Sequence, residues 1–359
     1  MEARCSNTHP PPGFVHDVTS GSGSSTPARL TGLRFLRTLA KTRPSRLPDP
    51  TAALTERAGS ANRSRMSRHQ GAYTALVTPF RDGLVDEESL RALVERQIVG
   101  GIHGLVPCGT TGESVTLDYD EHVRVVRIVV EQTKKRVPVI AGAGMNDTRA
   151  TIELVKLVEE TGADGLLLVC PYYNRPSQAG LEAHFRAIAA ATPLPIVLYN
   201  IPSRTGCDLS VATLARLADV PSIVAIKEAT GNVVRAQQIL CELGDRFDVL
   251  SGDDALTLPM MSIGGTGVIS VTSNLFPAEV AAVTNAALAG DYATARARHM
   301  RLAPVHESMF VETNPGPIKA MMAEAGLLAP EVRLPICWPA ESSIAITRAA
   351  IARAGLGAS

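Results

Sequence analysis

In the stretch Ser222-Ile-Val-Ala-Ile-Lys-Glu-Ala-Thr-Gly231 an apolar, strand-like run ends on a cation, Lys227. A lysine is seldom kept at the end of a buried strand unless its amine is used. Burial disfavours the ammonium form of a lysine, and a neutral amine attacks a carbonyl carbon to give an imine. Residue type and place together point to Schiff-base chemistry.

Other unusual polar residues also follow short apolar runs. Gly109-Thr-Thr-Gly-Glu-Ser114 sets adjacent hydroxyls and free amides at a turn, a cradle for a carboxylate. The same spacing fits an ordinary tight turn with a helix cap. Pro171-Tyr-Tyr-Asn174 holds two of the six tyrosines, for proton chemistry or for aromatic packing. Leu198-Tyr-Asn-Ile-Pro-Ser-Arg-Thr-Gly206 offers Tyr199 as a proton donor and Arg204 as a fork for a carboxylate. Their plainer readings are a core tyrosine and a solvated loop arginine. In Leu250-Ser-Gly-Asp-Asp254, Gly252 allows close backbone approach to a ligand. Asp253 and Asp254 read as caps of the next helix rather than as metal ligands. Gly264-Gly-Thr-Gly-Val-Ile-Ser270 is glycine-rich but lacks the Lys-Ser/Thr ending of a phosphate loop, so no nucleotide is expected.

These residues share a position if the runs before them are parallel strands. Eight runs, 72–77, 104–107, 137–142, 165–169, 195–200, 223–227, 249–252 and 267–270, are apolar on both faces, as strands buried on both sides must be. Between them lie amphipathic segments with helical spacing, such as 182–188 and 211–217. Eight strands alternating with helices predict an α/β fold, the (β/α)8 TIM barrel, whose active sites form at the C-terminal ends of the strands. A doubly wound open sheet would want a dinucleotide loop after the first strand, and Thr78-Pro-Phe-Arg-Asp-Gly83 is not one. Beyond Gly290 the strands stop, and 291–359 reads as a C-terminal region of three helices.

The 359 residues carry no net charge, which argues against nucleic acid as a partner, and no apolar run reaches the length of a membrane span. Residues 1–65 differ from the rest. They are rich in Ser, Pro, Gly and Arg, with ten Lys/Arg against four Asp/Glu. They read as an unstructured extension ahead of a barrel over 66–290, with Met66 as an alternative start. An organellar transit peptide is the other reading of this arm. The cysteines at 5, 108, 170, 207, 241 and 337 show no CxxC and no pairing with histidine. They read as buried thiols in a reducing compartment.

The motifs Gly109-Thr-Thr-Gly-Glu-Ser114, Tyr199-Asn-Ile-Pro-Ser-Arg-Thr-Gly206 and Ile223-Val-Ala-Ile-Lys-Glu-Ala-Thr-Gly231 resemble those of the dihydrodipicolinate synthase family, within the N-acetylneuraminate lyase superfamily. The similarity covers about residues 71–356. Sister lyases carry Gly-Ser-Thr-Gly-Glu at the first motif and lack an arginine at the place of Arg204. The resemblance implies that Lys227 forms an imine with pyruvate and that the derived enamine attacks L-aspartate 4-semialdehyde. Thr110, Tyr199 and Tyr173 match the family's proton relay, with Tyr173 reaching in from a neighbouring subunit. Thr111 matches the pyruvate-carboxylate site. Arg204 matches the residue that orders Tyr173 and meets the second carboxylate. Gly252 and Ile269 match backbone positions lining the pocket. No cofactor and no metal are implied. A homotetramer in the cytoplasm, serving lysine and diaminopimelate biosynthesis, is.

The resemblance also marks an effector cleft for free lysine, at Ser114, Val115, Tyr119, His122, Asn146, Ala150 and Tyr172. Lysine-sensitive members carry a glutamate where this chain has Ala150, so weak or absent inhibition is expected. Two rival readings remain: a pyruvate-dependent sugar-acid aldolase, disfavoured by Arg204 and the paired threonines, and a non-catalytic barrel, disfavoured because Lys227 and the tyrosines are all present.

Overall fold

The computed structural model describes residues 69–357. The extension read over 1–65, with its transit-peptide alternative, lies outside the described residues.

Among the described residues ten strands occur in chain order: β1 (Gly71–Ala75), β2 (Phe80–Arg81), β3 (Leu84–Val85), β4 (Gly104–Val106), β5 (Ile140–Gly142), β6 (Gly165–Val169), β7 (Ile196–Asn200), β8 (Ile223–Glu228), β9 (Asp248–Ser251) and β10 (Gly267–Ser270). Strands β2 and β3 form a small antiparallel hairpin. The other eight pair in parallel in the order β4-β1-β10-β9-β8-β7-β6-β5. A parallel bridge from Leu105 to Val139 joins the two ends, with the Leu105 amide donating to the Pro138 carbonyl at 3.0 Å. The sheet is therefore a nearly closed eight-stranded barrel, the TIM-barrel arrangement.

The strand expected from 137 begins only at Ile140. Pro138 has no N–H to give to a ladder. The strand expected over 223–227 runs one residue further, to Glu228.

Helices surround the barrel: α1 (Glu87–Val99), α2 (Tyr119–Thr133), α3 (Thr148–Glu159), α4 (Gln178–Ala189), α5 (Pro202–Thr205), α6 (Val211–Arg216), α7 (Val233–Leu243), α8 (Thr257–Ser262) and α9 (Pro277–Leu288). Three more follow: α10 (Tyr292–Ser308), α11 (Gly316–Glu324) and α12 (Glu341–Arg353). Several begin where a side chain satisfies the first free amides. Asp118 and Glu121 form a reciprocal capping box at α2, and Asp147, Ser177, Ser210 and Asn232 cap α3, α4, α6 and α7.

Strand residues alternate between two cores. Tyr73, Ala75, Val106, Ile140, Leu167, Val197, Tyr199, Ala225, Leu250 and Ile269 fill the barrel interior. Leu105, Leu166, Leu168, Ile196, Leu198, Ile226 and Val249 pack outward against the helices. Cys5 lies outside the described residues, and the other five cysteines do not all follow the expectation for them. Cys108, Cys170 and Cys207 are buried, but Cys241 and Cys337 are exposed, because helix α7 and the loop before α12 turn those positions to solvent.

Candidate active site

Lys227 shares the inward face of β8 with Ala225, two residues earlier. It lies level with Tyr199 on β7, and the two residues are direct register partners. Its Nζ stands 4.1 Å from the centre of the Tyr199 ring, and both residues are almost fully buried, at 5% and 4% exposure. Among the described residues no carboxylate forms an ion pair with Lys227. Glu228 faces outward, as adjacent strand residues must. It accepts from Arg235 Nε at 3.0 Å and from the Thr230 amide at 2.7 Å.

Gly252, at the end of β9, makes the space for this lysine. A Cβ built on it would lie 3.1 Å from Lys227 Cε and 2.5 Å from the Ala229 Cβ. Ile269 is buried on the inner wall at β10, in the same cluster as Tyr199.

A cavity of about 240 Å³ opens at the strand ends, lined among others by Thr110, Ser114, Leu167, Tyr172, Tyr199, Arg204 and Asn314. Lys227 does not line this cavity; it sits beside the ring of Tyr199, which does. Thr111 is buried, and its Oγ1 accepts from Asn314 Nδ2 at 3.0 Å. Arg204 lies in the short helix α5, exposed toward the cavity.

Tyr173 is not brought to the cavity. It is 90% exposed, with a left-handed φ of 75°. The loop that carries it is held from below. The Tyr173 amide donates to the Thr205 carbonyl at 3.2 Å, and Cys207 Sγ donates to the Pro171 carbonyl at 3.0 Å. A hydrogen bond from Cys170 brings the Cys207 thiol down to about 7.

The residues read as an effector cleft gather beside the same mouth. Ser114, Val115, Tyr119, His122 and Tyr172 line a second, smaller cavity. Asn146 adjoins it, donating to the Tyr172 carbonyl at 3.2 Å. His122 Nε2 donates to the Gly142 carbonyl at 2.7 Å, since a carbonyl only accepts, and burial pushes the His122 pKa down. Ala150 stands outside the lining, in the first turn of α3, where its amide is capped by Asp147.

The paired aspartates split. Asp253 caps a short turn through the Ala255 amide. Asp254 does not cap: its buried carboxylate crosses to the Val271 and Thr272 amides at 2.8 and 3.2 Å, because the end of β10 presents free donors there. Among the described residues no group of three or more His, Cys, Asp or Glu is placed to hold a metal ion.

Two contributors were not singled out from sequence. Asn314 is one. The other is Lys319 in α11, wholly buried, whose Nζ pairs with Glu113 Oε1 at 2.7 Å. Burial pushes the Lys319 ammonium below its ordinary value and Glu113 opposes that push. A signal existed: Lys319 is a lone cation in the apolar run Pro317-Ile-Lys-Ala-Met-Met322, the same pattern that marks Lys227.

The family model of the dihydrodipicolinate synthetase family matches residues 68–353. A 4-hydroxy-tetrahydrodipicolinate synthase of Nitratidesulfovibrio vulgaris (strain DP4) is 53% identical over 287 residues, 80% of this chain and 98% of that protein. The 4-hydroxy-tetrahydrodipicolinate synthase structure from Methylacidiphilum fumariolicum SolV superposes with a TM-score of 0.79 at 47% identity, covering 80% of this chain and 96% of that one. The chloride-inhibited dihydrodipicolinate synthase of Acinetobacter baumannii, complexed with pyruvate, gives a TM-score of 0.79 at 44% identity, covering 80% and 99%.

Proposed function

The chain belongs to the dihydrodipicolinate synthetase family, and on that premise we propose how its barrel mouth works. Its reaction is the family's: pyruvate condenses with L-aspartate 4-semialdehyde through a lysine imine, a lyase of the class I aldolase type that serves lysine and diaminopimelate biosynthesis. One observation carries the assignment of residues: a buried lysine with no carboxylate partner among the described residues, at the end of a barrel strand and against a tyrosine ring.

Lys227 is the nucleophile. Its amine attacks C2 of pyruvate, and loss of water leaves the imine. The imine draws electrons from the methyl group, which gives up a proton to form the enamine. The enamine carbon attacks the aldehyde, and the aldehyde oxygen takes a proton. The amino group of the second substrate then adds to the imine carbon, closing the ring and releasing the lysine amine. Each step needs a proton moved at a site closed to water, and hydroxyl groups do this without competing as nucleophiles. Thr110 and Tyr199 form that relay. Tyr173, exposed in the single chain, completes it in the site of a neighbouring subunit. Thr111 and the loop amides hold the pyruvate carboxylate, and Arg204 holds the carboxylate of the semialdehyde as a charged donor. Gly252 and Ile269 shape the wall beside the imine. Ser114, His122, Asn146 and Tyr172 belong to an effector cleft for a free amino acid.

The assembly that this reading requires is a dimer sharing Tyr173, doubled into a homotetramer through α10–α12. Among the described residues no helix is long and apolar enough to cross a membrane. The place proposed is the cytoplasm, or an organelle if residues 1–65 act as a transit peptide.

A coupled assay tests the substrate pair. Pyruvate consumption should depend on L-aspartate 4-semialdehyde. Consumption with sugar-acid aldehydes and none with the semialdehyde would contradict the reading.

A further inference from the structure

Helix α11 and the segments beside it reach back to the threonine loop at two points. Asn314 donates to Thr111 Oγ1 at 3.0 Å. Five residues later, Lys319 donates to Glu113 Oε1 at 2.7 Å and to the Thr78 carbonyl at 3.0 Å. Thr78 Oγ1 in turn donates to the Gly112 carbonyl at 2.7 Å. These bonds close a ring through Gly112, Glu113, Lys319 and Thr78. The second oxygen of Glu113 accepts from the Arg333 amide at 2.9 Å. Glu113 holds a left-handed φ of 52°, a conformation that persists in a non-glycine residue only where its surroundings fix it. Asn314 also lines the cavity that Thr110 and Tyr199 line.

We propose that Asn314 and the buried Glu113–Lys319 pair are positioning residues for catalysis: they set the Thr110-Thr111 hydroxyls and the loop amides at the pyruvate end of the site. The inference rests on the reading that these threonines receive pyruvate. It goes beyond that reading in assigning part of the loop's geometry to the C-terminal region, which pins it together with Thr78 of the barrel. A bare turn between two glycines has many conformations open to it. A loop pinned at its third and fifth residues presents its hydroxyls in one. Preorganisation of this kind is worth most when substrate arrives.

The test uses the full chain. Glu113→Gln combined with Lys319→Met removes both charges at once, so neither is left orphaned in the core. Asn314→Ala leaves the ion pair in place and serves even where the double variant fails to fold. Thr111→Val is the reference. Thermal melting, kcat and the KM of each substrate are measured for all of them. The expected result is a rise of roughly tenfold or more in pyruvate KM for both positioning variants, as for loss of a hydrogen bond to a charged group, with the semialdehyde KM little changed. Asn314→Ala added to Thr111→Val should cost nothing further, since the two act through one hydroxyl. Variants that melt lower yet keep the parent's pyruvate KM would show a purely structural pair and overturn the proposal. Equal rises in both KM values would do the same. If Thr111→Val itself keeps the parent's kinetics, the pyruvate role of the threonines fails first, and this inference with it.

Discussion

Lys227 was legible because its surroundings are written in the adjacent residues: an apolar strand, then a cation. Its freedom from Glu228 follows from strand alternation, and the outward bond of Glu228 to Arg235 accounts for the neighbouring charge. In the proposed reaction, substrate choice turns on Arg204. With a charged hydrogen bond worth about 1.5–3 kcal/mol, Arg204→Ala should raise the semialdehyde KM by roughly an order of magnitude or more. A lower kcat should accompany it, since α5 also holds the Tyr173 loop through Thr205. Pyruvate adduct formation should survive. Unchanged kinetics with the semialdehyde would remove Arg204 from the site. Asn314 escaped the sequence because its partner, Thr111, is 203 positions away; no local pattern encodes such a bond.

At the scale of elements, all eight barrel strands were readable from apolar runs of the right length, with ends that shift by one to three residues, the late start of β5 following from Pro138. The helices α10–α12 were readable as helices but not as part of the site. An amphipathic pattern reports a buried face, not what that face touches. The ion pair between α11 and the threonine loop shows the difference: breaking such a buried pair by removing one partner costs about 3–5 kcal/mol. Helix α3 carries a prediction of its own. Ala150 in its first turn brings no anion to the cleft near Tyr172 and His122. Loss of a charged partner for a ligand's ammonium weakens binding roughly ten- to a thousandfold. Free lysine should therefore inhibit weakly or not at all, and Ala150→Glu should restore part of the sensitivity. An inhibition curve with a midpoint in the micromolar range for the parent chain would contradict this.

For the whole molecule, the barrel and its C-terminal helices hold every residue assigned a role. Residues 1–65 lack the apolar periodicity to build a core, so a chain beginning at Met66 should keep its activity and melting temperature, and light proteolysis should trim the full chain to about that point. A large fall in melting temperature on truncation would show that the arm packs on the enzyme. The central claim, that Lys227 is the covalent nucleophile, is tested most directly on the intact protein. Incubation with pyruvate and borohydride should add one reduced pyruvyl unit to the intact mass, and peptide mapping should place it on Lys227. Lys227→Ala should abolish the adduct while the barrel still melts cooperatively. No added mass, or a label on any other lysine, would contradict the account.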